Sequence, residues 1–450
     1  MSFKFNQNES FIYAGKFWLQ ENEDEDFSGY IKYTPENGLY LSLYKQKFLF
    51  NTNETRQIIF GDVEKIGKIT LVACLSVGMS SSLSKNYVSY QYRPIYAIIG
   101  HRFSLNENLF DKIIFHFKQL DNFCSHLTND YRLYEQKNLV CCSIEDFGDI
   151  CIDQWLQDEK AINLHYIYWG EKEEQINNIF DNTSILFKPY YGITIKTPPT
   201  TFGEIIKKKT MLERLFSVFL MEKVEMDFCE ISINGAFCPL IFNIPNDLTR
   251  ECIMEHMPIS IYSIKDTFQN IFQIWMKLYS NPLLIDCLLN RLYRNCGNGY
   301  QQFNVILAQC AFFQMNYGLN KDSRKRYENF VEETLYLETN FSTNIETSLS
   351  EFFEDIPLDN NDRNSFHHKI GHLLSVIRDY IAHVDTIPET NQKKKLFQKY
   401  VGDDSRINSL CEILFVMLIK RIYNELGIKQ TENQENNLTY MCRSFEILDV

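Results

Sequence analysis

GYIKYTPENGLYLSLY, residues 29–44, sets the reading of the first half of the chain. Apolar and polar residues alternate on both sides of Pro35-Glu36-Asn37-Gly38. That tetrapeptide combines a fixed φ, a side chain that bonds local backbone and a residue that tolerates positive φ. Residues 29–33 and 39–44 are therefore expected to pair as a hairpin. Working outward, β-type runs recur at 69–77, 87–99, 113–117, 162–169, 185–196 and 228–233. One helix interrupts them at about 202–222, where Ile205, Leu212, Leu215, Phe216, Phe219 and Leu220 largely follow helical spacing. A β-rich, sandwich-like domain with a few helices is expected over residues 1–260.

The character changes near residue 260. Segments of helical period take over at 264–278, 283–294, 301–317, 325–337, 366–384 and 405–426. Gly297, Gly299 and the polar stretches 357–362 and 402–405 punctuate them as loops. The expected fold class is α+β in two domains, the second an all-α helical bundle over 261–430, followed by a loose polar tail at 431–450.

Charge and composition exclude several function classes. The net charge is 45 − 58 = −13, with a pI near 5.3. An acidic chain has no general attraction for polyphosphate or anionic membrane. Yet residues 265–430 hold 19 Lys+Arg against 20 Asp+Glu, a net of −1, so the acidity lies mostly elsewhere. The balance argues against a protein that coats nucleic acid and leaves room for one that cuts it at a small, locally basic cleft. The N-terminal residues lack a basic segment followed by an apolar run, and no apolar run approaches the roughly 20 residues of a spanning helix. Thirteen cysteines without a C-x-x-C pair read as buried free thiols, not as disulfides or a zinc site. A cytoplasmic chain with no membrane partner and no cofactor is expected. No Gly-rich phosphate loop or Gly-x-Ser-x-Gly elbow is present, which removes nucleotide-hydrolase and serine-hydrolase readings.

The segment with chemistry is FHHKIGHLLSVIRDYIAHV, residues 366–384. Phe366, Ile370, Leu373, Leu374, Ile377, Ile381 and Val384 form one apolar stripe. At about 100° per residue, Asp379 and His383 are neighbours one turn apart, while Arg378 lies about 140° from His383 across the stripe. Arg378 and His383 can serve one phosphate if the helix ends or kinks near His383, or if two copies pack along the seam. Histidine suits proton transfer near neutral pH, and the arginine fork matches phosphate geometry. Asp379 could orient the imidazole or hold Arg378.

Arg378-Asp379-x-x-x-His383 resembles the R-x4–6-H motif of HEPN ribonucleases. The upstream runs Phe27-Ser28-Gly29-Tyr30-Ile31, Ile59-Phe60-Gly61, Ile69-Thr70-Leu71 and Ile98-Ile99-Gly100 resemble, in order and spacing, the N-terminal domain of ApeA-type defence proteins. The resemblance implies a HEPN bundle after a sensing or regulatory domain, and a homodimer formed through that bundle. It further implies metal-independent RNA cleavage to 2′,3′-cyclic phosphate ends, with Arg378, Asp379 and His383 as the catalytic set. The biological setting it implies is abortive-infection defence with a phage-derived trigger and RNA, by analogy transfer RNA, as target. Members often carry an acid in the first HEPN helix; residues 301–320 contain none. The rival expectation is a non-catalytic HEPN-like dimerisation module with a β-rich partner-recognition domain.

Other residues compete for attention. Arg363 with His368, and Arg250 with His256, fit the same or a looser pattern. Arg378 and His383 are preferred because they follow an apolar helical run, with small Ala382 before the histidine. Lys393, Lys394, Lys395 and Lys399 follow the motif closely enough to grip an RNA backbone. Lys207-Lys208-Lys209 and Arg324-Lys325-Arg326 read as solvated faces. His368 and His372 share a helical face that could hold a metal, but no metal site is expected. Trp155 and Trp169 read as core packing, with a recognition surface as the alternative.

Overall fold

A computed structural model gives the structure of the chain. It describes residues 9–45, 57–82, 87–117, 132–136, 139–143, 150–155, 160–167, 173–177, 182–186, 190–226, 228–243, 259, 264, 267–278, 303–304, 306–311, 323–335, 340–359, 361–383 and 391–435. Two compact units divide it: residues 1–210 with 225–251, and residues 211–224 with 252–450.

The first unit begins with β1 (Phe11–Leu19), β2 (Asn22–Thr34), β3 (Gly38–Lys45), β4 (Gln57–Val63), β5 (Gly67–Ser82) and β6 (Tyr87–Arg93). The hairpin expected around Pro35 is β2–β3, with Thr34 opposite Gly38 and Gly38 at φ 74°. The six strands pair antiparallel in the order β4-β1-β2-β3-β6, and β5 bonds both β4 and β6. The sheet therefore closes on itself. The structure corrects the expected sandwich to a six-stranded barrel that continues into an open sheet.

The reason lies in β5, which spans 16 residues. Its first half pairs with β4, and its second half pairs with β6 from Leu75 onward, with a register shift between Ser76 and Gly78. Inward residues alternate along each strand, as the pleat requires: Leu39, Leu41 and Leu43, Ile31 and Tyr33, Ile69 and Leu71, Val88 and Tyr90 are all buried. Gly61 faces Phe17 across the β1–β4 ladder. A Cβ there would come within 2.7 Å of the Phe17 ring and 2.9 Å of Ile69 Cγ2, so the barrel interior has no room for one.

The run expected at 87–99 is two strands, because Pro94 has no N–H to extend a ladder. After it, β7 (Tyr96–Ile99) leaves the barrel while still pairing with β5. Outward from β7, the sheet continues through β17 (Ala236–Phe242), β16 (Phe228–Ile233), β8 (Phe110–His116), β15 (Tyr190–Thr200), β12 (Lys160–Ile167) and β11 (Ile150–Trp155). Two separate hairpins are β9 (Arg132–Gln136) with β10 (Leu139–Ser143), and β13 (Glu173–Asn177) with β14 (Asn182–Leu186). The run expected at 185–196 thus falls on the end of β14 and on β15. Residues 168–169, with Trp169, lie outside the described residues, as does the Trp155 side chain.

Asn243 joins barrel to open sheet. Its Oδ1 accepts the Leu39 N–H at 2.7 Å, while its Nδ2 donates to Leu39 O at 2.8 Å and to Pro94 O at 2.6 Å. Its own N–H donates to Ile95 O.

Helix α1 (Phe202–Leu220) contributes residues to both units. The expected solvated lysine face is corrected here: Lys208 and Lys209 are buried, and Lys209 Nζ lies 4.7 Å from the centre of the Phe242 ring. In the second unit, residues 211–220 of α1 meet α2 (Phe268–Leu278), with Phe216 and Phe219 against Phe268 and the Trp275 indole donating to Met211 O. Then come α3 (Ser323–Leu335), α4 (Asn340–Phe352), α5 (Arg363–Ala382), α6 (Gln392–Val401) and α7 (Asp404–Glu425). Of these, α4 and α6 were not expected. The helix expected at 283–294 and the breaks at Gly297 and Gly299 lie outside the described residues. Residues 432–435, expected in a loose tail, form a helical turn in which Glu435 is buried and pairs with Lys420 of α7. Among the described residues no helix is long and apolar enough to cross a membrane. The five cysteines whose side chains are described are buried free thiols.

Candidate functional site

The candidate site is built at the C-terminal end of α5. That helix starts at Arg363, three residues before the apolar stripe, because Asp362 accepts the Ser365 N–H at 3.1 Å as N-cap. Phe366, Ile370, Leu373, Leu374 and Ile377 are buried, as the stripe requires. Gly371 marks the crossing with α3: a Cβ there would lie 2.5 Å from Glu328 Cα and 2.6 Å from Glu328 N. Both are backbone atoms, so only separation of the helices makes room. Gly371→Ala is expected to cost about 1–3 kcal/mol, seen as a lower denaturation midpoint. An unchanged midpoint would mean that the helices do not cross this closely.

The helix ends at Ala382. His383 is its C-cap, with φ −132° and ψ 28°, and its backbone N–H donates to Tyr380 O at 3.2 Å. Its side chain is exposed. Of the two arrangements that let arginine and histidine act together, the structure contains the first: the helix stops at the histidine. Helix α6 returns immediately, with Asn391 accepting the Lys393 N–H at 2.8 Å and Phe397 stacked on Tyr380 at 4.2 Å between ring centres. The run Lys393-Lys394-Lys395 therefore lies at a helix start.

This return delivers Lys393 to Asp379. Lys393 Nζ lies 2.9 Å from Asp379 Oδ2, and Arg378 Nη1 lies 3.3 Å from Asp379 Oδ1. Asp379 thus holds Arg378, one of its two expected roles, and a second cation as well. Burial pushes its carboxyl up, but the Lys393 hydrogen bond and charge, then those of Arg378, outweigh burial and hold it below the usual carboxylate range. A lowered folded-state value means that ionised Asp379 stabilises the fold above the ordinary carboxylate pKa. That contribution fades as pH falls through the lowered value. The thermal midpoint of Asp379→Asn should therefore lie below wild type at neutral pH and converge on it in acid. A constant gap would sink this assignment.

The other lysines diverge. Lys399 Nζ pairs with Asp355 Oδ2 at 2.6 Å, and the Tyr400 hydroxyl donates to the same carboxylate. The Asp355 hydrogen bond raises the Lys399 ammonium above its ordinary value. Lys394 is half-buried and Lys395 exposed.

The competing motif has a structural task. Arg363 Nη2 lies 3.4 Å from Glu346 Oε2, and His367 Nε2 lies 2.8 Å from Glu346 Oε1, with Glu346 and His367 only 1% and 2% exposed. This cluster pins α5 to α4. His368 is exposed and pairs with Glu328. Arg250 and His256 lie outside the described residues. Among the described residues, no three His, Cys, Asp or Glu side chains converge as a metal-ligand set.

Sequence reasoning missed two contributions from α3. The run Arg324-Lys325-Arg326, expected as a solvated face, opens this helix, and the Nε of half-buried Arg326 is buried. Tyr327 is buried and donates its hydroxyl to Leu307 O at 2.9 Å. Burial pushes its phenol well up, and Arg378 and Arg326 act against that shift. A basic run leading directly into an aromatic at the head of a helical segment was the available signal.

In comparison with known proteins, the family model described as ApeA N-terminal domain 1 matches residues 12–275, more than half of the chain. No curated protein and no solved structure matches the chain.

Proposed function

The chain belongs to the ApeA N-terminal domain 1 family, and from that premise we propose that it is an anti-phage defence protein whose helical part is a metal-independent HEPN-type endoribonuclease. The observation that carries the nuclease reading is the end of α5. Because the helix stops at Ala382, the exposed His383 leaves it one turn beyond the Arg378–Asp379–Lys393 cluster. In the proposed reaction a ribose 2′-oxygen attacks the adjacent phosphorus and the 5′-oxygen leaves. His383 moves the proton, and Arg378 faces the charge that develops on the phosphorane. Asp379 positions Arg378. The products are a 2′,3′-cyclic phosphate and a 5′-hydroxyl. Two copies of the chain pair through the helical part and bring two such helix ends to one cleft. The β-rich part senses a phage-derived trigger, and transfer RNA is the proposed target.

One observation favours the rival reading, a non-catalytic dimerisation and binding module: Asp379 already neutralises the cations nearest the motif. Sequencing RNA ends after incubation of the full chain with RNA in EDTA separates the readings. Cyclic-phosphate ends made in EDTA support the nuclease. Intact RNA with the trigger supplied supports the module, and cleavage only with added metal removes both.

A further inference from the structure

Asp379 holds its two cations unequally. Arg378 and Asp379 are consecutive on α5, so their side chains leave the helix about 100° apart and do not face each other. Their contact is accordingly loose: Nη1 reaches Oδ1 at 3.3 Å, longer than the usual charge-assisted bond. Lys393 arrives from another helix and closes to 2.9 Å of Oδ2. Burial works against the charge on Asp379, and among the groups that keep it ionised Lys393 ranks before Arg378. The position of Lys393 is also unusual for its own helix. It stands in the first turn of α6, beside Lys394 and Lys395, with no acidic residue in that turn. This is the positive end of the helix dipole, where cations are unfavourable. The reason for lysine at 393 therefore lies outside α6, in the Asp379 carboxylate. The Asn391 cap and the stacking of Phe397 on Tyr380 fix α6 so that its first turn meets that carboxylate.

We propose that Lys393 is a positioning residue: it occupies Asp379 so that Arg378 can turn from the carboxylate to an RNA phosphate. This role rests on the nuclease reading and answers the objection that Asp379 neutralises both cations. A part-buried carboxylate with a single cation beside it keeps that cation, because release leaves its own charge uncompensated. With two cations it can release one and stay paired. Arg378 is the one released, since its contact is the longer and 39% of its side chain is in solvent. Lys393 stays on Oδ2, and the guanidinium presents its planar fork to the phosphodiester.

The test measures kcat/KM for RNA cleavage by the full chain in EDTA, and its affinity for an uncleavable 2′-O-methyl oligonucleotide. Lys393→Gln should lower both about 10-fold, because Asp379 then keeps Arg378 through a charge-assisted bond. The fold should tolerate the change, since 44% of the Lys393 side chain is in solvent. Lys393→Arg keeps the positive charge and should retain most of both values. The deciding variant adds Asp379→Asn to Lys393→Gln. Asparagine leaves Arg378 an acceptor but removes the charge that captures it, so the double variant should cut and bind better than Lys393→Gln alone. A lysine that only braces α6 against α5 predicts no such recovery, and neither does one that grips the RNA backbone itself. A double variant no better than Lys393→Gln therefore overturns the proposal, as do wild-type values for Lys393→Gln. The two readings fail separately. If wild type cuts RNA and the recovery is absent, only the role of Lys393 is lost. If the recovery appears in oligonucleotide binding but no RNA is ever cut, only the nuclease reading is lost.

Discussion

His383→Ala is expected to lower the rate of RNA cleavage about 100- to 10,000-fold, the range for losing a general acid or base. Arg378→Ala should have an effect of the same order, because the charge facing the phosphorane disappears with it. Folding should survive both changes. His383 is exposed at a helix end, and Arg378 keeps more than a third of its side chain in solvent. The denaturation midpoint should therefore stay close to wild type while activity falls, a split that damage to the fold does not produce. His368→Ala is the appropriate control, since that residue is exposed and belongs to the competing pattern. Arg363→Ala is a poor control, because Arg363 supports the buried Glu346 carboxylate and its loss destabilises α5. Wild-type cleavage by either His383→Ala or Arg378→Ala moves the active site elsewhere.

Asn243→Leu is expected to destabilise the first unit by about 3 kcal/mol or more. Three buried backbone groups lose their partner at once: the Leu39 N–H, the Leu39 carbonyl and the Pro94 carbonyl. Each such group left unsatisfied costs about 1–3 kcal/mol. Leucine approximates the volume, so the change isolates hydrogen bonding from packing. Asn243→Asp is a second probe. It keeps an acceptor for the Leu39 N–H, removes both donated bonds and sets a carboxylate against two carbonyl oxygens. Neither variant should be tolerated, and urea denaturation followed by barrel tryptophan fluorescence (Trp18 of β1) reads the effect. A loss below 1 kcal/mol for Asn243→Leu would falsify the clamp.

Much of the barrel was legible because its strands carry local signals. The hairpin about Pro35, the run in β5 and the strand at 228–233 all combine period-two burial with turn chemistry at their ends. Closure was not legible. Strand β1 has apolar Ile12 and Ala14 on its outer face, which blurs the alternation of Phe11, Tyr13 and Phe17. Long-range pairing of β3 with β6 leaves no mark in either strand. The same division holds at the site. The apolar stripe of α5 and the place of His383 near its end followed from spacing, since one helix repeats its own geometry. That Lys393 reaches Asp379, and that Arg363 serves Glu346, depend on how separate helices return on one another. Charge runs were the least informative signal: Lys208 and Lys209, expected in solvent, are buried.

The Asn243 clamp also has a timetable. Leu39 and Asn243 are 204 residues apart in the chain. At a synthesis rate of roughly 5–20 residues per second, the ribosome delivers Asn243 some 10–40 s after Leu39. The six barrel strands have all been made well before then, so a nascent barrel passes through a long interval in which its hairpin end is bound only to water. In that interval the barrel presents an open hydrogen-bonding edge at Leu39 and Pro94. The finished protein, with Asn243 seated, no longer offers it.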